Sequence, residues 1–292
     1  MNIYLSPMIP IPSLISEMHP TTRLVFLILF FVGMGWIVLS RFYIYFEQVF
    51  AKKYKRPFFL NSIIFRRQIS QDKRRILEKE FSFYQKLSTK QKRIFRHRLA
   101  NFLRNKEFVG RDNFEITTEV ETLIGATAVM LTFGLKNYQL DVFHTILVYP
   151  KSFYSKQGGT LHKGEFNPRM GLIAFSWEDF KFGYDISNDN LNLGIHEFGH
   201  AMHFNSFKNG DISSIIFSDT YKDLKRYLRS DEEKRKALLD SKYFRAYAYT
   251  NEFEFFSVLL ECFMETPRDF KAQFPKLYGY VKQMLNFNFA GY

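Results

Sequence analysis

Cysteine is almost absent: Cys262 stands alone in a chain of 292 residues. A single thiol closes no internal disulfide and builds no cysteine-based metal site, a usage that suits a reducing compartment. Proline is sparse, and Pro7, Pro10, Pro12 and Pro20 fall in the first 23 residues, where they oppose a long helix. No internal repeat is visible, and no recognisable nucleic-acid module is present. The chain also lacks the basic start and small-residue cleavage site of a removable signal peptide. Acidic residues are scarce between positions 41 and 110, where nineteen Lys/Arg face five Asp/Glu. The formal net charge of +12 is therefore local, and the remainder of the chain is slightly acidic. A basic belt placed after an apolar segment reads as contact with anionic lipid headgroups rather than with nucleic acid.

That apolar segment is the first positive feature. From Leu24 to Leu39 every residue is apolar or Gly, and Ser40 extends the uncharged run to seventeen. Phe42 to Phe46 lengthen it to a bilayer span if Arg41 snorkels. Only Arg23 precedes the segment closely, whereas Arg41, Lys52, Lys53, Lys55, Arg56, Arg66 and Arg67 follow it. The positive-inside rule then keeps the carboxyl-terminal portion in the cytoplasm, on a single-pass anchor in the cell (inner) membrane. The expected organisation is a tail at 1–23, an anchor at 24–46, a basic juxtamembrane helical region at 47–86 and a catalytic domain at 87–292.

Beyond the anchor, residues 71–86 read as a charged helix. Ser88 or Thr89 caps a second, in which Ile94, Phe95, Leu99, Phe102 and Leu103 recur at three- and four-residue steps. Residues 117–133 form a further helix with small residues for close packing. Asp141 to Tyr149 and Gly171 to Trp177 read as strands, separated by a polar surface loop with Gly158, Gly159, Gly164 and Pro168. The second strand is a candidate edge for pairing with extended substrate. Ser187 to Asn190 supplies a cap for the helix after it, and residues 206–245 look helical.

The chemistry is concentrated in that capped helix. His196 and His200 are four residues apart, so both imidazoles lie on one helical face and reach a single ion, with Glu197 beside them. The flanking residues are nearly all apolar, so the helix is expected to be buried. Two imidazoles and a carboxylate there are costly unless paired or metal-bound. His203 falls on the same side but about 10 Å further along the axis, too far to share the ion, and reads as a supporting or packing residue. The third ligand must come from the stretch Tyr247 to Phe263, whose apolar helix is interrupted by Glu254 and Glu261. These two are seven residues apart and share a face, so spacing leaves the choice between them open.

From about residue 87 onward the chain resembles the Mlc titration factor A family of zinc aminopeptidase-like proteins. The resemblance is carried by Leu87 through Gly110 (LSTKQKRIFRHRLANFLRNKEFVG), the strand end Ile146 to Pro150, Gly171 through Trp177, His196 to His200, and Tyr247 through Phe263. It implies an α+β, mostly helical zincin-like metallopeptidase domain with a small sheet beside the His-Glu-x-x-His helix. It also implies Glu254 as the third metal ligand and Tyr247 as an active-site residue. The anchor and basic belt depart from the family, whose members are usually soluble, and nothing in the chain indicates the transcriptional repressor that the family's namesake binds.

The expectation is a membrane-anchored zinc-dependent peptidase, in finer detail an aminopeptidase, acting on a peptide or protein substrate. One Zn²⁺ held by His196, His200 and Glu254 activates a water, Glu197 serves as general base, and Tyr247 bonds the developing oxyanion. The alternative is a weakly active or inactive relative that keeps the fold and regulates a partner protein at the membrane.

Overall fold

The run after Arg23 has no charge to turn toward water and continues as one rod. Helix α1 spans Pro20–Tyr54, 35 residues, about 52 Å at 1.5 Å per residue. Pro20, expected in an irregular tail, occupies the first helical position, where a missing N–H costs nothing. The helix also continues past Phe46, where the expected membrane span ends. Apolar side chains from Leu24 to Tyr45 are exposed, and the most apolar window has a mean hydropathy of 2.2. Among the described residues this is the one helix long and apolar enough to cross a membrane. The computed structural model describes residues 19–60, 67–154, 159–186, 188–208 and 210–292. Pro7, Pro10, Pro12, Arg66, Gly158 and Ser187 lie outside them.

The chain divides into two units, Met1–Val49 and Phe50–Tyr292. The second is mostly helical with a small mixed sheet. Its helices start where short polar side chains satisfy the first free N–H groups. Ser70 caps α2 (Gln71–Glu80), a short turn α3 (Ser82–Gln85) follows, and Ser88 forms a full capping box with Gln91 at the head of α4 (Thr89–Asn105). Thr117 caps α5 (Thr118–Leu131), whose residues are buried on nearly every side. Leu77, Phe81, Phe83 and Tyr84, from the segment 71–86, belong to the same core as α4 and α5.

Four strands form the main sheet in the order β1 (Glu107–Gly110), β2 (Thr145–Tyr149), β6 (Leu172–Ser176), β5 (Gly164–Asn167), with β3 (Phe153–Tyr154) and β4 (Leu161–His162) as a separate hairpin. β1, β2 and β6 run parallel, and β5 is antiparallel to β6. Ile146, Val148, Ile173 and Phe175 face the main core, while Leu147 and Ala174 join Phe153 in a small cluster. Two expectations fail here. The stretch read as a surface loop contains β5, and β6 is paired on both sides, so it offers no edge to a substrate. The edge strands are β1 and β5, and β5 is the one next to β6.

Ser176 ends β6 and caps α6 (Trp177–Asp185). The putting together of 206–245 as one helical region resolves into the end of α7 (Leu193–Lys208), then α8 (Ile212–Arg229), then α9 (Glu232–Asp240). Asp211 caps α8 through Ser214 N. A 3-10 turn (Ala246–Tyr249) leads to α10 (Glu252–Glu265), capped by Asn251, and two proline-initiated helices close the chain: α11 (Pro267–Gln273) and α12 (Pro275–Met284). Cys262, on α10, is buried, and burial pushes its thiol up to about 12.

Two cations of the basic stretch lie in the interior. Arg98 donates to the carbonyls of Thr132, Phe133 and Leu135 just past the end of α5, at 2.9, 3.0 and 2.9 Å. Lys106 does the same for Leu140 and Phe143. Each occupies a position where unpaired carbonyls would otherwise be buried. Arg98→Met should therefore cost about 3 kcal/mol or more of unfolding free energy. Urea denaturation should show the midpoint falling with an unchanged slope; a loss below about 1 kcal/mol would contradict this account of Arg98.

Candidate metal centre

α7 begins where Asn192 Oδ1 accepts from Ile195 N at 3.0 Å. Of the expected cap cluster, Ser187 lies outside the described residues, Asp189 Oδ1 accepts from Leu191 N, and Asn190 Oδ1 accepts from Thr266 Oγ1. The first seven residues of α7 after Leu193 include Gly194 to Gly199, all buried. α10 packs directly against this helix. A Cβ at Gly199 would stand 2.7 Å from Ser257 Oγ and 3.2 Å from Ser257 Cα, so only glycine lets the two backbones approach this closely.

The close approach brings three side chains together. His196 Nε2 lies 2.9 Å from Glu254 Oε2, and His200 Nε2 lies 3.4 Å from Glu254 Oε1. The two Nε2 atoms are 3.1 Å apart. Behind them, each imidazole is held by its other nitrogen. His196 Nδ1 donates to Glu261 Oε1 at 2.6 Å. Ser257 Oγ donates to the His196 carbonyl at 3.0 Å, leaving a lone pair toward His200 Nδ1 at 3.3 Å. With Nδ1 engaged behind, both rings turn Nε2 inward, toward Glu254, where a cation can take the place of a proton. Glu254 Oε2 is buried and accepts no well-directed hydrogen bond. Two inward imidazole nitrogens and a buried carboxylate oxygen converging on one point fit a divalent cation.

The electrostatics agree with the geometry. Burial alone would raise the Glu254 carboxyl, but the two imidazoles outweigh it and hold the group well below the usual carboxylate range. Burial pulls His196 down, yet the carboxylates of Glu254 and Glu261 lift it to about 9. A site that draws a proton so strongly offers the same field to a cation in its place. Glu261 is fully buried, and Arg245 Nη2 answers its charge at 2.7 and 2.6 Å from the two oxygens. Of the two acids that spacing left open, Glu254 meets the imidazoles and Glu261 stands behind His196.

A cavity of about 470 Å³ opens on His196 and Glu197, with Lys163, Phe182, Arg245 and Tyr247 in its walls. Glu197 is buried, and burial raises its carboxyl above the usual range against the lowering effect of His200 and His196. β5 passes close by: a Cβ at Gly164 would lie 2.7 Å from Glu197 Cγ. The Tyr247 ring sits 6.0 Å from that of His196, half exposed, and burial together with the Glu254 charge pushes its hydroxyl up to about 12. It is a standing hydrogen-bond donor at neutral pH.

Comparison with known proteins adds an independent observation. The sequence profile described as glucose-regulated metallo-peptidase M90 matches residues 52–286. The chain belongs to this metallopeptidase family. It is also similar to the uncharacterized protein slr2042 of Synechocystis, 25% identical over 234 residues, covering 75% of this chain and 85% of that protein. Mlc titration factor A of Yersinia pestis is 24% identical over 194 residues, covering 61% of this chain and 71% of that protein. The Yersinia pseudotuberculosis protein of the same name matches to the same extent. The family resemblance read from the sequence therefore holds, and M90 membership implies a metal ion.

Within this M90 chain, His203 is a packing residue. It is fully buried against Tyr221, Phe253 and Phe256, both ring nitrogens lack partners, and burial holds it down at about 3. Sequence reasoning missed Arg245, which nothing in its local pattern distinguishes, and Ser257, which its position three residues after Glu254 could have flagged. It also missed Glu265, which supports the start of α7: its Oε1 accepts from Asn192 Nδ2 at 3.1 Å, while its Oε2 is buried without a partner. Burial pushes the Glu265 carboxyl up to about 7. A folded value above the unfolded one stabilises the fold at low pH, and that contribution is lost as pH rises from about 4 through about 7. Between pH 5.5 and 8 the chain should lose on the order of 1–3 kcal/mol by this route. Glu265→Gln should flatten the dependence in parallel denaturation series; an equal slope in both proteins would remove Glu265 as its source.

Proposed function

We propose that the chain is a membrane-anchored zinc peptidase in which His196, His200 and Glu254 hold the ion. The observation that carries this reading is the pair of inward-facing Nε2 atoms with the Glu254 carboxylate against them and Glu197 at the edge of an open cleft. Two imidazoles and one carboxylate are a donor set of catalytic zinc, with room left for solvent and substrate. When bound, zinc supplies a Lewis acid that polarises the scissile carbonyl and acidifies water.

The chain's own residues do the rest. The Glu197 carboxylate takes the proton released as water adds to the carbonyl carbon, then returns it to the leaving amine nitrogen. Its burial, which raises the carboxyl, improves it as a base. The Tyr247 hydroxyl donates to the carbonyl oxygen as charge builds there. Arg245 and Glu261 hold the His196 ring in one orientation. The free edge of β5, beside Glu197, pairs with an extended peptide. Aminopeptidase activity is the finer form of this proposal.

The same reading assigns residues 1–23 to a tail, 24–46 to a span of the inner membrane, 47–86 to a basic juxtamembrane region and 87–292 to the peptidase domain. The charge asymmetry about the span supports a cytoplasmic catalytic portion.

Metal analysis and peptide hydrolysis by the full chain test the assignment. Glu197→Gln should retain one zinc and lose about 10²- to 10⁴-fold in kcat, whereas His196→Ala should lose the metal. Undiminished hydrolysis by Glu197→Gln would sink the mechanism, and zinc without turnover in the unsubstituted chain would favour a regulator that binds a partner protein. Glu261→Gln should weaken metal retention about 10- to 100-fold, read by competition with a chromogenic chelator; unchanged retention would remove Glu261 from the support of His196.

A further inference from the structure

On another face of α10 lies a second cavity, of about 540 Å³, that the peptidase reading does not use. Leu224 and Leu228 of α8, Leu238 and Leu239 of α9, Ala248 of the 3-10 turn and Phe255 of α10 supply its apolar walls. Leu239 remains 45% exposed there, a large aliphatic side chain left in water at the mouth. The volume is in the range of small-molecule pockets, roughly 300–1,000 Å³.

Charge at the mouth is unequal. Lys225, Arg229 and Arg235 line it, against the single acid Glu252. Lys225 pairs with Glu252 at 3.0 Å, and Arg235 pairs with Glu232 of its own helix at 3.5 Å. Arg229 has no carboxylate within ion-pair distance among the described residues, so one cation at the rim is uncommitted. An apolar chamber of four leucines with Tyr221, Tyr249 and Phe255 beside them, and one free guanidinium lining it, is complementary to a single negative charge on an aliphatic chain.

We infer that this cavity binds a medium-chain carboxylate, its tail among the leucines and its head on Arg229. The site is separate from the metal cluster but shares structure with it. Tyr221, in its wall, donates to the Glu252 carbonyl at 3.0 Å, and Asn251, also in its wall, accepts from Glu254 N at 3.0 Å. A bound chain therefore braces the start of the helix that carries Glu254. The inference stands independently of whether the chain cleaves peptides.

The test is hydrogen–deuterium exchange of the full chain in phosphatidylcholine nanodiscs, titrated with octanoate. Saturable protection is expected across residues 221–239 and 246–255. Hexanoate should bind at least tenfold more weakly, since each buried methylene is worth about fourfold in affinity. Octan-1-ol should also be at least tenfold weaker, and Arg229→Glu should weaken octanoate by tenfold or more. Circular dichroism verifies that Arg229→Glu is folded, and Leu239→Arg, at an exposed position, gives a second loss of binding that does not depend on it. Absence of saturable protection overturns the inference, as does equal affinity for octanol or preference for octylammonium. Protection that grows with protein concentration and resists octanoate would assign the cavity to a second copy of the chain and overturn it equally.

Discussion

The hydrogen bond from His196 Nδ1 to Glu261 fixes more of this molecule than any other single contact. It turns Nε2 inward, toward Glu254, and it does so with a carboxylate that no water reaches. A buried carboxylate is tolerable only with its charge answered, which Arg245 does from the segment before the 3-10 turn. The arrangement also ties α10 to α7 at a second level, below the Gly199–Ser257 contact. The positions of Glu254, Tyr247 and the two imidazoles are consequences of one interlocked pair of helices rather than independent placements.

Much of this was legible from residue order, for physical reasons. The four-residue spacing of His196 and His200 fixes their common face whatever the surroundings, and Ser88 with Gln91 announces a helix start by local chemistry alone. What was illegible depends on distant partners. Glu254 and Glu261 share a face, and only the height of α10 against α7 decides which one meets the imidazoles. β5 was hidden because Gly164-Glu165-Phe166-Asn167 has a loop-like composition. Its pairing with β6 and its approach to Glu197 come from the tertiary structure. The same pairing places β6 inside the sheet, which alternation of side chains in one strand does not reveal. Arg245 could not be singled out among 41 Lys and Arg residues.

The basic stretch shows how composition misleads when read as surface. Arg98 and Lys106 contribute to its count, yet both are buried and serve the carbonyls that follow α5 and precede β2. The charge the stretch presents to solvent is smaller than its sequence total by at least these two. Exposed Lys52 and Lys53 in the last turn of α1, with aromatic Tyr54, Phe58 and Phe59 after them, retain the composition of an interfacial segment.

Cys262 follows Glu261 on α10 and has no access to solvent. Burial pushes its thiol up to about 12 and so holds it in the unreactive protonated form at neutral pH. Maleimides and iodoacetamides therefore have nothing to attack in the folded chain. Any cysteine introduced at the surface becomes the sole attachment point for a spin label or fluorophore, without first removing the native one.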